Sequence, residues 1–322
     1  MTSTKLASLA LAALLLPAAA PAQQYPARTV TIVVPFPPGG GTDTGTRVVA
    51  TRLAQKWGQA VIVENKPGAA GMVGADWVSK AKPDGYTLMM GNIGTQSINP
   101  SLYKKMPYNP QGAFAPVTLV AELPLVMLAG PNVTAKSAKE TIALARASPG
   151  KITYSSSGSG GSMHLAGALF EKESATELLH VPYKGGGPAI ADLIAGHVDI
   201  AFATILESSG HIKSGRLRAI AVTSDKRYPT LPDVPTLAES GLAGFNTGSW
   251  IGIVAPSGTP RDLIEKIARD VHDIVMSPEV RDQLIAQGAT PVGGSPAEFA
   301  ALIEADRKRY AQIIRDRNIS AD

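Results

Sequence analysis

The chain has 322 residues and no cysteine, which excludes disulfides, thiolate metal sites and cysteine nucleophiles. A hydrophobic share of 44% supplies real cores, and the length allows one large domain or two lobes of ordinary size. Net charge is only +4, and no basic cluster is interleaved with aromatics, which argues against nucleic acid as a partner.

Residues 1–22 read as a secretory signal. Lys5 is its positive end, residues 6–16 are its apolar stretch, and Ala20-Pro21-Ala22 is an A-x-A cleavage site. The apolar run is too short to span a bilayer. A core helix is the other use of such a run, but a proline- and alanine-rich segment follows at once. An exported, soluble, periplasmic protein cleaved near Ala22 is therefore expected. The later apolar runs are strand-sized or broken by charge, so no other membrane segment is expected.

The run VTIVV at residues 30–34 is β-branched and uncharged, as expected for a strand buried on both faces. Pro35, Pro37 and Pro38 end it, because proline cannot donate to a ladder. Gly39, Gly40 and Gly41 then let the backbone turn sharply and approach a ligand closely. Thr42 or Asp43 is expected to cap the next helix, where Val49, Leu53 and Trp57 recur at four-residue spacing. A strand end, a glycine loop and a helix start point backbone N–H groups at one spot, which suits an anion. A tight turn with no ligand would use the same residues.

Residues 61–63 predict a second buried strand, followed by the glycine-rich ENKPGAAGMVG at 64–74 and a helix around 75–81. Residues 86–90 predict a third strand, which ends in GNIGTQ at 91–96. Strands alternating with helices imply a parallel sheet, with ligands gathering at the strands' carboxyl ends. GNIGTQ lies at such an end and either shares the cleft or forms a solvated loop. Residues 99–116 read as irregular surface.

The apolar runs 117–120 and 123–129, split by Glu122, are expected to cross into a second lobe. There a helix at 137–147 and a strand at 151–155 lead to SSSGSGGS at 155–162 and a helix at 164–172. This repeats the opening arrangement with hydroxyls in place of prolines, so two such loops would grip one ligand from both sides. Strands at 178–183, 198–204 and 217–223 complete the second lobe, with KGGGP at 184–188 starting a helix through 195. Residues 245–255 are expected to return to the first lobe. The remainder reads as helices at 260–276, 279–287 and 296–317.

Taken together, these motifs resemble the periplasmic solute-binding proteins of tripartite tricarboxylate transporters, the Bordetella-uptake-gene type. The matching stretches are YPARTVTIVVPFPPGGGTD, VIVENKPGAAGMVGADWVSKAKPDGYTL, KITYSSSGSGGSMHLAGALF, HVPYKGGGPAIADLIAGHVDIAF and GIVAPSGTP, which cover essentially the whole mature chain. The resemblance implies an α/β, two-lobed periplasmic-binding-protein fold of type II, the Venus-flytrap kind. Each lobe would be a mostly parallel sheet flanked by helices. Lobe 1 would comprise residues 23–122 and 248–322, and lobe 2 residues 123–247.

The same resemblance implies a monomer that closes over a dicarboxylate, tricarboxylate, amino acid or aromatic acid. It would deliver that ligand to the permease subunits of a membrane transporter, without any cofactor. Phe36, Pro38, Gly39, Gly40 and Asp43 of the first loop would hold one ligand carboxylate together with Ser156, Ser157, Gly160 and Ser162 of the second. Backbone N–H groups, hydroxyls and waters would do most of this. Gln96, Tyr183 and Thr204 would lie around the remaining cleft, where the family varies its ligand. The Phe36-Pro37-Pro38-Gly39 and Ser162-x-His164 motifs fit the family pattern, whereas Gly94-Thr95-Gln96 is less typical and bears on ligand choice.

Two enzyme classes compete with a binding protein. Gly39 and Gly41 fit the start of a dinucleotide fingerprint, and Glu64 could hold a ribose. However, Thr44 stands where the third glycine is required, three prolines crowd the turn, and an exported protein meets little nicotinamide cofactor. A hydrolase would draw on Ser156, Ser157, Ser162 and His164. Against it, no G-x-S-x-G elbow occurs, and Ser162 and His164 lie only two apart at a helix start, so their side chains diverge. His164 then reads as a residue structural to the helix start, and Asp43 as a capping carboxylate rather than a catalytic acid. The scattered histidines give no H-E-x-x-H metal spacing. The expectation is a binding protein without catalysis.

Overall fold

In a computed structural model, which describes residues 25–316 and Ile319, the run Val30–Val34 forms β1 with only Thr31 reaching partial exposure. The expected leader lies outside the described residues. β1 pairs in parallel with β2 (Val61–Asn65) on one side and with β3 (Thr87–Asn92) on the other. Helix α1 (Gly41–Trp57) follows β1 and buries Val49, Ala50 and Leu53. Trp57 is half-buried, and its indole N–H donates to Asp270 at 2.7 Å. Helix α2 (Met72–Ser79) follows β2. After β3 comes a π-helical turn (Gly94–Ile98), and α3 (Asn99–Leu102) then opens the stretch expected to be irregular.

The crossing between lobes is one strand rather than two runs. β4 (Phe114–Ala129) continues through Glu122, whose side chain is exposed between buried neighbours. A charge on the solvent face does not interrupt a ladder, because side chains alternate and the backbone bonds lie in the sheet plane. From Phe114 to Pro124, β4 pairs antiparallel with β9 (Gly248–Pro256). From Leu125 to Ala129 it pairs with β7 (Ile200–Thr204) instead, and near the same end with β8 (Arg218–Val222).

The second lobe adds α4 (Ala138–Ala147), β5 (Thr153–Ser156), α5 (Ser162–Ser174), β6 (Leu179–Pro182), α6 (Gly186–Ala195) and α7 (Ile205–Lys213). β5 is parallel to both β6 and β7. Helix α7 was not expected from the sequence. It starts at the residue after β7 with no turn residues between, because Thr204 ends the strand and caps the helix at once. After β9, helices α8 (Arg261–Val275) and α9 (Pro278–Gln287) lead to the short β10 (Thr290–Pro291), which pairs with β4. Helix α10 (Pro296–Asp316) then docks on the first lobe, where the buried Trp250 donates to Asp306 at 2.8 Å.

The architecture is thus α/β and two-lobed. One lobe is a mixed sheet around β1, β3 and β9, the other a sheet around β5 and β7, and helices flank both. Among the described residues no helix is long and apolar enough to cross a membrane, and no cluster of His, Asp and Glu is placed to hold a metal.

Candidate functional site

Helix α1 is capped by Gly40 and not by Thr42 or Asp43, which lie inside its first turn. Gly39 sits at φ +87°, a left-handed conformation that glycine adopts without steric cost. That turn aims the Gly39 N–H at Asp43 Oδ2, 3.0 Å away. The Arg47 guanidinium donates to the same oxygen at 3.0 Å, and Asn65 donates to Asp43 Oδ1 at 2.9 Å. Asn65 also donates to the Phe36 carbonyl, which ties the loop to β2. Burial pushes the Asp43 carboxyl up, but Arg47, the Gly39 amide and Asn65 together outweigh it and hold the group below its ordinary 3.8.

The facing loop in the second lobe runs from β5 to α5, which begins at Ser162 after a Gly161 cap. Gly160 adopts φ +81° and donates its N–H to His164 Nδ1 at 2.9 Å, so His164 pins the loop. Ser156 Oγ lies 2.7 Å from His180 Nε2 and 3.1 Å from the Gly158 carbonyl. His180 stacks on His164 and Tyr154, with centroids 4.1 and 4.8 Å away. Burial, and then the neighbouring His164, push His180 down to about 3, so it is uncharged near neutrality. Ser156 itself is fully buried.

Two further helix starts complete the site. Helix α6 is capped by Gly185, and α7 carries a full capping box between Thr204 and Glu207. Glu207 Oε1 accepts the Thr204 N–H at 2.8 Å, while Oε2 accepts the Gly41 N–H at 3.0 Å from across the cleft. Burial raises the Glu207 carboxyl above its ordinary 4.5 against the pull of those amides. Glu207 is in no ion pair among the described residues.

The lobes meet closely here. A Cβ on Gly41 would lie 2.6 Å from Thr204 Oγ1, and one on Gly187 would lie 2.7 Å from the Pro38 carbonyl. Between them remains a cavity of about 30 Å³, room for roughly two waters. Any organic acid therefore needs the lobes to part before it enters. The cavity lining includes five residues expected from the sequence: Phe36, Gly40, Ser157, Ser162 and Thr204. Gly41 and Thr42 of the glycine loop and Asn92 of the GNIGTQ run join them, Gly186, Glu207 and Ser249 do so unforeseen, and Leu123 and Met163 form apolar walls. The TILE run at residues 204–207 is a T-x-x-E capping signature and could have pointed to Glu207.

Other expected residues stand back from this cavity. Asp43 and Gly39 bond to each other, Pro38 packs on Gly187, and Gly160 backs onto Leu102. Gln96 is buried beside Gly91, where its side-chain amide donates to Thr95 at 3.4 Å, and its backbone carbonyl accepts from Arg307 at 2.8 Å. The Tyr183 hydroxyl donates to Asp192 at 2.7 Å on α6.

Two lobes joined by long strands, with helix N-termini meeting across a closed cleft, define a solute-binding protein of the periplasmic type. Residues 46–319 match the tripartite tricarboxylate transporter family receptor, and the chain belongs to that family. The structure is similar to that of Rpa4515 of R. palustris with adipate (TM-score 0.90, 34% identity, 92% of this chain and 99% of that one). It is also similar to the periplasmic binding protein BugD (TM-score 0.87, 34% identity, 92% and 99%). MatC of Rhodopseudomonas palustris with bound malate gives a TM-score of 0.85 at 33% identity, over 90% and 100% of the two chains.

Proposed function

We propose that this chain captures a small organic carboxylate between its lobes in the periplasm and delivers it to the permease subunits of a tripartite tricarboxylate-type transporter. The observation that carries this is the meeting of the N-termini of α1, α5, α6 and α7 on one cavity whose lining holds no Lys, Arg or His. Amides and hydroxyls at helix starts supply the donors that a desolvated carboxylate needs. The adipate and malate held by similar proteins have the same chemistry.

The protein is exported with its leader cleaved near Ala22 and acts as a monomer. The lobes are residues 23–122 with 248–322, and residues 123–247, a division supported by the exchange of β4's partners between Pro124 and Leu125. Ser157, Ser162, Gly161 and the amides beside them hold the ligand carboxylate. Gln96 and Tyr183 act on ligand choice only after the lobes open. No catalysis is part of this function, since the one close serine–histidine side-chain pair among the described residues, Ser156 with His180, has its serine fully buried.

Scanning fluorimetry of the mature protein with organic acids and their amides tests the proposal. A ligand that binds only the folded protein raises its melting temperature by mass action. At least one acid should do so where its amide does not. A shift with a sugar or nucleotide, and with no acid, would reject it.

A further inference from the structure

Glu207 is the only ionisable side chain among the residues lining the cavity, and it is an acid in a cleft that we assign to an acid ligand. Its position is fixed at both ends. Oε1 is held by the α7 capping box and Oε2 takes the first amide of α1. The first amide of α1 is therefore already taken by a carboxylate of the protein itself. The same carboxylate lies against Gly186 at the start of α6, where a Cβ would come within 2.0 Å of Glu207 Oε2, so the N-terminus of α5, with Ser157 and Ser162, remains for a carboxylate of the ligand. A second ligand carboxylate would meet Glu207 in a cavity with no Lys, Arg or His to neutralise the pair, and like charges in a desolvated site repel strongly.

We infer that Glu207 sets the charge pattern of the ligand: the cleft takes a carboxylate that also carries a hydrogen-bond donor, an ammonium above all, in preference to a dicarboxylate. This rests on the carboxylate reading of the site and narrows it. The carboxylate end docks at α5, and the ammonium lies against Glu207, supplying the counter-charge that the protein does not provide. The raised Glu207 carboxyl is consistent with an acid awaiting such a partner.

Calorimetry with matched straight-chain pairs of four to six carbons, each an ω-amino acid and the corresponding diacid, is the test. With the intact protein, the amino acid should bind at least tenfold tighter than the diacid at the length that binds best. Glu207→Gln removes the charge at nearly unchanged shape, keeps one of the two amide bonds, and should bring that ratio to within threefold. Equal or tighter binding of the diacid to the intact protein would overturn the inference while leaving the carboxylate reading standing. So would an amino-acid preference that Glu207→Gln does not reduce. If neither kind of acid, nor any monocarboxylate, bound at all, the carboxylate reading itself would fail. Should Glu207→Gln not fold, Glu207→Asp replaces it: the charge stays but the reach shortens, and the preference should still drop.

Discussion

Asp43 and Glu207 hold the same place in two helices, the third residue after the cap, and each reaches back to a backbone amide at its own helix start. Their surroundings push them in opposite directions. Asp43 has Arg47 and Asn65 on its own lobe and is held below the ordinary carboxylate range. Glu207 has amides, one of them from the other lobe, and the Thr204 hydroxyl but no cation, and is raised. One helix position can thus anchor a loop or arm a binding site, and the difference lies in whether a cation stands beside it. The acid conspicuous in the sequence, next to three glycines, does the anchoring. The one between Leu206 and Ser208 faces the cavity.

The largest effect should come from removing the link that distinguishes Glu207. Gly41→Val keeps the amide but places a branched side chain where even a Cβ would come within 2.6 Å of Thr204 Oγ1. The lobes could then no longer close on the Gly41–Glu207 bond, whereas Asp43 and its partners would be untouched. Carboxylate affinity should fall by two orders of magnitude or more, roughly 3 kcal/mol. Small-angle scattering should also show a more open molecule. Unchanged affinity and an unchanged radius of gyration would show that this contact does not govern closure.

A smaller effect is expected on the anchoring side. Asp43→Asn leaves one acceptor where the carboxylate satisfied three donors, and turns an amide N–H₂ toward some of them. Unfolding in urea at pH 7 should show a loss of about 2 kcal/mol, in the range for hydrogen bonds to charged groups. The folded carboxyl is depressed, so its contribution is complete above the ordinary 3.8 and disappears as the pH falls through the folded value. The gap between the two proteins should therefore shrink at pH 3. A gap that stayed constant with pH would place the cause in shape rather than charge.

Much of this fold is legible in the sequence because its signals are local. The run at β1, the proline stop and the glycine loop each mark a boundary through backbone chemistry, and the chain obeys them. β4 shows in the sequence only as two apolar runs because Glu122 interrupts the hydrophobicity but not the ladder, whose bonds do not pass through side chains. Helix α7 and with it Glu207 escaped notice because Thr204 serves as strand end and helix cap together, leaving no turn to mark the change. The site itself is legible only in part. Phe36, Gly40, Ser157, Ser162 and Thr204 reach the cavity, but a pairing such as Gly41 with Glu207 spans 166 positions, and no periodicity within one element reveals it.

The smallest expected effect runs with pH in the opposite direction to that of Asp43→Asn and sharpens the comparison most. A carboxyl whose folded value is raised binds its proton more tightly in the folded chain than in the unfolded one. Below the ordinary 4.5 the group is protonated in both states and contributes no penalty. As the pH rises through 4.5 the unfolded chain ionises first, and folding then carries the cost of a buried charge without a cation. That cost is complete once the pH passes the folded value. Glu207→Gln removes that pH-dependent cost, at the pH-independent expense of one amide bond, since its single carbonyl cannot accept from both Thr204 and Gly41. Without ligand, the stability of the variant relative to the parent should therefore rise between pH 4 and pH 7, whereas that of Asp43→Asn falls over acid pH as the carboxylate ionises. Paired melting curves at the two pH values measure it. If Glu207→Gln lost stability at pH 7 and recovered it at pH 4, Glu207 would behave like Asp43, and the contrast between the two helix starts would be void.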